Sequence, residues 1–221
     1  MPRLARGLAD GHCYHVLNRG NGRQNVFHKD GDFQVFLNLL VEAKERYSIK
    51  VYAWCLMTNH FHLLMCPENG DDLSRAMQWL MTSHVRRYHR HHNSSGHVWQ
   101  GRYKSFLVQD DEHLQAVTRY VERNPVTAGM VRRALEWAWL SHAERLGETE
   151  KRIVSELPLP FVGNWEEFVN AEMSEKEQQT FAESITRQAP FGSMEWRQKM
   201  YEKFGLESTR RAKGRPKKMK K

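Results

Sequence analysis

Two short patterns in this 221-residue chain hold side chains able to do chemistry. The first is His60-Phe61-His62, inside the apolar run TNHFHLLM of residues 58–65. Side chains alternate across a strand, so the two imidazoles share one face and Phe61 takes the other. Strand rise sets their Cα atoms about 7 Å apart, close enough for both rings to reach one metal ion. Two imidazoles so placed can equally hydrogen-bond separate neighbours, and the pattern alone does not choose. The second pattern is Tyr120 and Asn124, in HLQAVTRYVERNP of residues 113–125. Four positions apart on a helix, they lie on one face. A phenol attacks phosphorus once it has lost its proton, and an amide oxygen can ligate a hard cation. Taken alone, the same pair also reads as a half-buried core tyrosine and a helix C-terminal cap.

The elements that must bring these patterns together follow from periodicity. HCYHVLNRG (12–20) alternates and ends in a Gly/Asn cluster, which predicts a strand. In GDFQVFLNLLVEAKERYS (31–48), Phe33, Phe36, Leu37, Leu40 and Val41 have helical spacing, with Asp32 as the expected N-cap. IKVYAWCLMT (49–58) and HFHLLMCPE (60–68) predict antiparallel strands turning at Thr58-Asn59. DDLSRAMQWLMTSHVRRYHRHH (71–92) predicts a helix with Leu73, Met77, Leu80, Met81, His84 and Tyr88 on one side. VWQGRYKSFLVQ (98–109) predicts a fourth strand, and DDEHLQAVTRYVERN (110–124) a helix ended by Pro125. The order β-α-β-β-α-β-α begins with the six elements of a split βαβ unit. The expected fold is therefore α+β: a ferredoxin-like antiparallel sheet with helices on one face, leaving the other face for a site. After about Gly147 the chain is richer in Glu and Gln, with short helices expected around 165–169 and 174–187. That divides the chain into a catalytic unit (1–147), a C-terminal helical extension (148–209) and a basic tail (210–221) expected to be disordered.

Composition narrows the class. The chain has no run of about 18 uncharged apolar residues and no apolar segment near its start, which predicts neither a membrane span nor a secretory signal. Cys13, Cys55 and Cys66 include no C-x-x-C pair, arguing against a disulfide framework and for a reduced, cytoplasmic protein. The net charge of +8 equals the eight Lys/Arg of the acid-free tail RRAKGRPKKMKK, so the remainder is near neutral. Local basic patches and the tail then point to a polyanionic partner. WQGRYKS places Trp99, Arg102 and Lys104 together, aromatics to stack on unpaired bases and cations to hold phosphates. Arg19 and Arg23 in the Gly/Asn-rich loop after the first strand suit the same task, and Arg215 within KGRPKK resembles a minor-groove hook. RRYHRHH (86–92) reads as a solvated or phosphate-facing patch. His12 and His15, at odd spacing, fall on opposite faces and cannot share a metal.

LMTNHFHLLM (56–65), WQGRYKS (99–105) and RYVERNPVTAGMV (119–131), in that order, resemble the motifs of the single-tyrosine transposases of the HUH nuclease superfamily. MPRLAR at the start and HVLNRGNGRQNVF (15–27) bring the resemblance nearest to the REP-associated tyrosine transposases, linked to repetitive extragenic palindromes. It covers roughly residues 1–147. The resemblance implies that Tyr120 is the nucleophile and that His60, His62 and Asn124 hold Mg²⁺ or Mn²⁺. Asn124 stands where the mobile-element relatives often carry glutamine, one methylene longer. Imidazoles by themselves suit zinc, so the choice of Mg²⁺ or Mn²⁺ comes from the resemblance. The implied activity is cleavage and rejoining of hairpin-bearing, REP-like single-stranded DNA through a 5′-phosphotyrosine intermediate, by a monomer or homodimer. Two other readings fit the residues: a non-catalytic binder of structured DNA or RNA on a ferredoxin-like sheet, and a metal-dependent hydrolase that uses water and leaves no covalent adduct.

Overall fold

A computed structural model describes residues 10–149 and 153–210. Four strands, β1 (Cys13–Arg19), β2 (Ile49–Met57), β3 (His60–Pro67) and β4 (Lys104–Val108), form one sheet in the order β2-β3-β1-β4. Every neighbouring pair is antiparallel. Helices α1 (Asp30–Arg46) and α2 (Gly70–His92) pack on one face, as the split βαβ order requires. There Val16, Leu56, Phe61 and Leu63 meet Phe36 and Leu40 of α1 and Leu73, Met77 and Leu80 of α2. Helix α3 (Glu112–Thr127) crosses the opposite face, where Cys55, Met57, Leu64 and Phe106 meet Leu114, Val117 and Val121. Both faces are covered, which is why β2 and β3 read as almost continuous apolar runs. A register shift between Val51 and Ala53 turns Tyr52 and Ala53 to the same side, toward α3.

Two local expectations are corrected. Asp32 is not the N-cap of α1 but sits in its first turn, where its Oδ2 reaches back to accept from the backbone N–H groups of His28 (2.9 Å) and Lys29 (3.3 Å). Pro125 does not end α3, which continues to Thr127. Proline removes one N–H bond and disfavours the helical region for its predecessor, but the next turn closes past it. Ala128 N–H bonds to the Asn124 carbonyl and Met130 N–H to that of Pro125, both at 3.0 Å. Asn124 therefore keeps its helical alignment with Tyr120.

The C-terminal part forms α4 (His142–Arg145), α5 (Trp165–Asn170), α6 (Glu175–Arg187) and α7 (Met194–Phe204). Helices α5 and α6 fall where composition placed them; α7 was not anticipated. This part of the chain also closes both sheet edges. Along β2, Leu56 N–H donates to the Trp139 carbonyl (2.8 Å), and the N–H groups of Ser141 and Ser155 donate to the carbonyls of Trp54 (2.9 Å) and Val51 (2.7 Å). Along β4, Phe191 N–H donates to the Leu107 carbonyl (2.8 Å), and the Phe191 carbonyl accepts from Gln109 N–H (3.0 Å). Unpaired edges invite pairing with other chains, and these segments occupy them. Among the described residues no helix is long and apolar enough to cross a membrane.

Candidate active site

Alternation along β3 sends Phe61 beneath α1 and α2 and turns His60 and His62 toward α3. The β1 register sets Leu17 opposite His62 and Arg19 opposite His60. From above, the Tyr120 ring meets His62 edge-on, with centroids 5.8 Å apart at 82°. One turn further along α3, the Asn124 side chain hydrogen-bonds both His60 and Tyr120. Four residues read from two separate patterns thus converge on one cleft of about 690 Å³, which Arg19, Arg102 and Lys104 also line.

The other expected contacts fall elsewhere. Arg23 is exposed on the turn after β1 and does not line the cleft. Trp99 is a correction: it is 4% exposed, in the α1/α2 core against Phe61, Phe36 and His84, so its indole offers no face to an unpaired base. Its backbone instead bridges Gly20 and extends the sheet. Arg215 lies outside the described residues. In the 86–92 patch, donor atoms of His91, His92 and Asp32 lie within 4.8 Å of one another, with His92 Nε2 3.7 Å from Asp32 Oδ1. That group joins the end of α2 to the start of α1, away from Tyr120.

Electrostatics suit the histidines to a cation. Burial pushes His60 down to about 4, with Arg19 adding to the effect and the Asn124 hydrogen bond opposing it. Burial also holds His62 well below the usual histidine range, reinforced by His15, His60 and Arg19. Both are neutral near pH 7, so each keeps one lone pair. His60 Nδ1 lies 2.6 Å from Asn59 Oδ1, an acceptor, so it carries the ring proton and Nε2 carries the lone pair. Two neutral imidazoles and an amide oxygen are a donor set that fits a divalent cation. The Tyr120 hydroxyl is pushed up to about 12 by burial, against the pull of Asn124 and Arg19, so it is protonated at neutral pH.

Three supporting features escaped the sequence reading. His15, on β1, is fully buried, and its Nε2 lies 2.9 Å from His62 Nδ1. It is indeed on the face opposite His12, whose ring packs on Phe204, but that face is the site's. Phe181 of α6 stacks on the Tyr120 ring at 4.5 Å and 17°, and Phe191 stacks on Phe181 at 4.5 Å and 15°. Glu122, between Tyr120 and Asn124 in sequence, points into the protein and is fully buried. Its carboxylate accepts from Ser141 Oγ (2.8 Å), His142 Nδ1 (2.8 Å), Arg145 Nε (2.9 Å) and Trp165 Nε1 (2.8 Å). Burial alone would raise its pKa, but Arg145, His142 and Trp165 outweigh that and hold it at about 2. Arg119 and Arg123 donate to carbonyls at and just beyond the end of α5, adding to the same clamp. One side of α3 is thereby bolted to the C-terminal segments while the other presents Tyr120.

A split βαβ sheet that carries an H-x-H pair beneath a helical tyrosine has the architecture of the single-tyrosine HUH transposases. The chain belongs to the family described as "Transposase IS200 like", whose model matches residues 9–124, just over half of its length. It is 30% identical over 117 residues to a REP-associated tyrosine transposase of Haemophilus influenzae; the match covers 48% of this chain and 66% of that protein. Its fold is similar to the solved structure of a REP-associated tyrosine transposase bound to a REP hairpin, with a TM-score of 0.57, 16% identity, and coverage of 79% of this chain and 96% of that one.

Proposed function

We propose that the protein is a single-stranded DNA transposase that cleaves and rejoins hairpin-bearing, REP-like DNA through a covalent tyrosine intermediate. The observation that carries this reading is the convergence of His60, His62, Tyr120 and Asn124 on one cleft rimmed by Arg19, Arg102 and Lys104. Tyr120 Oη gives up its proton and attacks a backbone phosphorus, the bond from phosphorus to the 3′ oxygen breaks, and that oxygen takes up a proton to leave as a hydroxyl, so no net proton is gained or lost. The 5′ end stays on the tyrosine as a phosphodiester. Rejoining is the reverse displacement by a 3′-hydroxyl, and it needs no ATP because the bond energy is kept. His60, His62 and Asn124 would hold Mg²⁺ or Mn²⁺, whose charge polarises the scissile phosphate and steadies the departing oxygen. Asn124 also hydrogen-bonds the Tyr120 hydroxyl and aligns it for attack. Arg19, Arg102 and Lys104 hold flanking phosphates. In this reading residues 1–147 carry the chemistry, 148–209 brace α3, and the tail at 210–221 adds phosphate contacts.

The test is denaturing electrophoresis of full-length protein mixed with labelled hairpin DNA and Mn²⁺, followed by mapping of the labelled peptide. A covalent adduct on the peptide holding Tyr120, lost in Tyr120→Phe, is the expected result. An adduct that survives Tyr120→Phe moves the nucleophile elsewhere. Cleavage without any adduct makes the protein a hydrolase, and binding without cleavage makes it a non-catalytic hairpin binder.

A further inference from the structure

The shared proton between His15 and His62 can sit in only two ways. Their Nε2 and Nδ1 atoms are 2.9 Å apart, so one nitrogen donates and the other accepts. If His15 donates, neutral His62 carries its own proton on Nε2 and turns no lone pair toward the cleft. If His62 donates from Nδ1, its Nε2 lone pair is free, and His15 carries its proton on Nδ1. His60 already shows the second arrangement with Asn59 as acceptor. Asn59 is itself fixed, because its Nδ2 donates to the Arg23 carbonyl at 3.2 Å, which leaves Oδ1 facing the imidazole. His62 has no such unambiguous partner.

The surroundings of His15 fit a role confined to this contact. Its ring is fully buried, held edge-on by Phe106 at 4.9 Å and Tyr120 at 5.9 Å, and lies within 8° of the plane of His62. Its Nδ1 has no hydrogen-bond partner among the described residues. Burying an imidazole with one nitrogen unsatisfied is unfavourable, and a leucine would fill the space without that penalty. The contact that remains is the one to His62.

We propose that His15 is a positioning residue: it accepts the Nδ1 proton of His62 and so keeps the His62 Nε2 lone pair turned to the cation. The proposal rests on the metal-binding reading of His60 and His62 given above. It treats His15 as the counterpart of Asn59, a hydrogen-bond acceptor behind a ligating histidine. Because Nδ1 of His15 is free to hold or release a proton without losing a bond, the tautomer of the pair is set by which arrangement the cleft stabilises, and a bound cation selects the ligating one.

The experiment uses full-length protein with ¹⁵N-labelled histidine, assigned with His62→Gln, alongside His15→Gln and His15→Leu. Gln places an amide near the position of Nε2 and can turn its oxygen to accept; Leu fills the volume and accepts nothing. NMR of the ring nitrogens with Mg²⁺ present reports the His62 tautomer, and Mn²⁺ titration followed by electron paramagnetic resonance reports affinity. The expected result is a His62 proton on Nδ1 in native protein and His15→Gln, with similar Mn²⁺ affinity. His15→Leu should bind Mn²⁺ about 10- to 100-fold more weakly while remaining folded by thermal melting. Should His15→Leu fail to fold, the native tautomer and the His15→Gln affinity decide. A His62 proton on Nε2 in native protein with Mg²⁺ bound, or unchanged affinity in folded His15→Leu, overturns the proposal. Failure of the native protein to bind Mn²⁺ overturns the metal reading itself, and with it this role for His15.

Discussion

The two faces of the sheet are built from the same four strands and differ in what they bury. Toward α1 and α2, Phe61 meets Phe36 and Trp99 in an aromatic core whose main polar intrusion is His84. Toward α3, β1 and β3 bury His15 and His62, and α3 buries Glu122 against Ser141, His142 and Trp165. Phe61 and His62 are adjacent in sequence, so one step along a strand separates a residue that holds the fold from one that lines the cleft. The apolar face can be close-packed because nothing on it needs a defined protonation state. The α3 face positions each polar group by a specific partner, Asn59 for His60, His15 for His62 and Asn124 for Tyr120. Substitutions on the two sides should therefore separate stability from activity.

The largest separation is expected from Tyr120→Phe. It keeps the stack on Phe181 and should leave thermal stability nearly unchanged while cleavage falls by roughly 10⁴-fold or more, as for removal of a nucleophile. Phe61→Ala should do the reverse, costing about 3–5 kcal/mol in urea unfolding while the folded fraction keeps its adduct-forming activity. Equal activity losses per folded molecule in the two variants would erase the distinction between the faces. Glu122→Gln comes next. It touches no substrate, yet breaking a buried ion pair costs about 3–5 kcal/mol, and its loss should destabilise the protein far more than Asn124→Ala does. Asn124→Ala should instead weaken cleavage, with partial rescue by Mn²⁺ over Mg²⁺.

Acid should erode both faces in two stages. Burial holds His15 at about 3 and His84 at about 4, and holds His62 well below its ordinary value. In the unfolded chain these groups take up protons near pH ~6.5. Stability is thus full above about pH 6.5 and falls below it, by about 1.4 kcal/mol per pH unit for each buried histidine. Glu122, at about 2 when folded, contributes stability above its unfolded value of roughly 4.5 and loses it as pH falls toward 2. Urea unfolding at a series of pH values should show the first decline well before the second. A flat profile between pH 7.5 and 5 would mean the histidines do not stay neutral. The smallest effect belongs to neither face. Deleting residues 210–221 removes eight positive charges, so hairpin affinity should weaken and the slope of log affinity against log salt become shallower, with cleavage of bound DNA unchanged. A greater loss on A·T-rich than on G·C-rich stems would identify a minor-groove contact by Arg215.

What could be read in the sequence divides along the range of the interactions involved. The first three strands and the first three helices follow from local alternation and spacing, and so do the facing of His60 and His62 and the pairing of Tyr120 with Asn124; the fourth strand begins at Lys104, not at Val98, because Trp99 turns into the core and only bridges Gly20. His15 was legible as a strand residue but not as a site residue, because its contact with His62 depends on how β1 and β3 are registered. Glu122 was hidden because its four partners come 19 to 43 residues later. Trp99 misled because a Trp followed by Arg102 and Lys104 looks like a nucleic-acid surface, whereas α1 and α2 had already claimed its ring for the core. Asn124 kept its place on α3 because the helix carries on through Pro125, which the local rule against a helical residue before proline does not anticipate.

The sheet edges acquire another meaning when the chain is considered in the order of its synthesis. All four strands are complete in chain order by Val108, but the edge of β2 waits for Trp139, Ser141 and Ser155 and that of β4 for Phe191. The growing chain must therefore carry two open β-edges until Ser155 is made, and the β4 edge until Phe191, a state prone to pairing with another copy. A fragment ending near Gly147 would keep Tyr120, His60 and His62 but would leave the β4 edge bare and Tyr120 without its stack on Phe181. The C-terminal helices thus act late, as a built-in chaperone for the half of the molecule that bears the site.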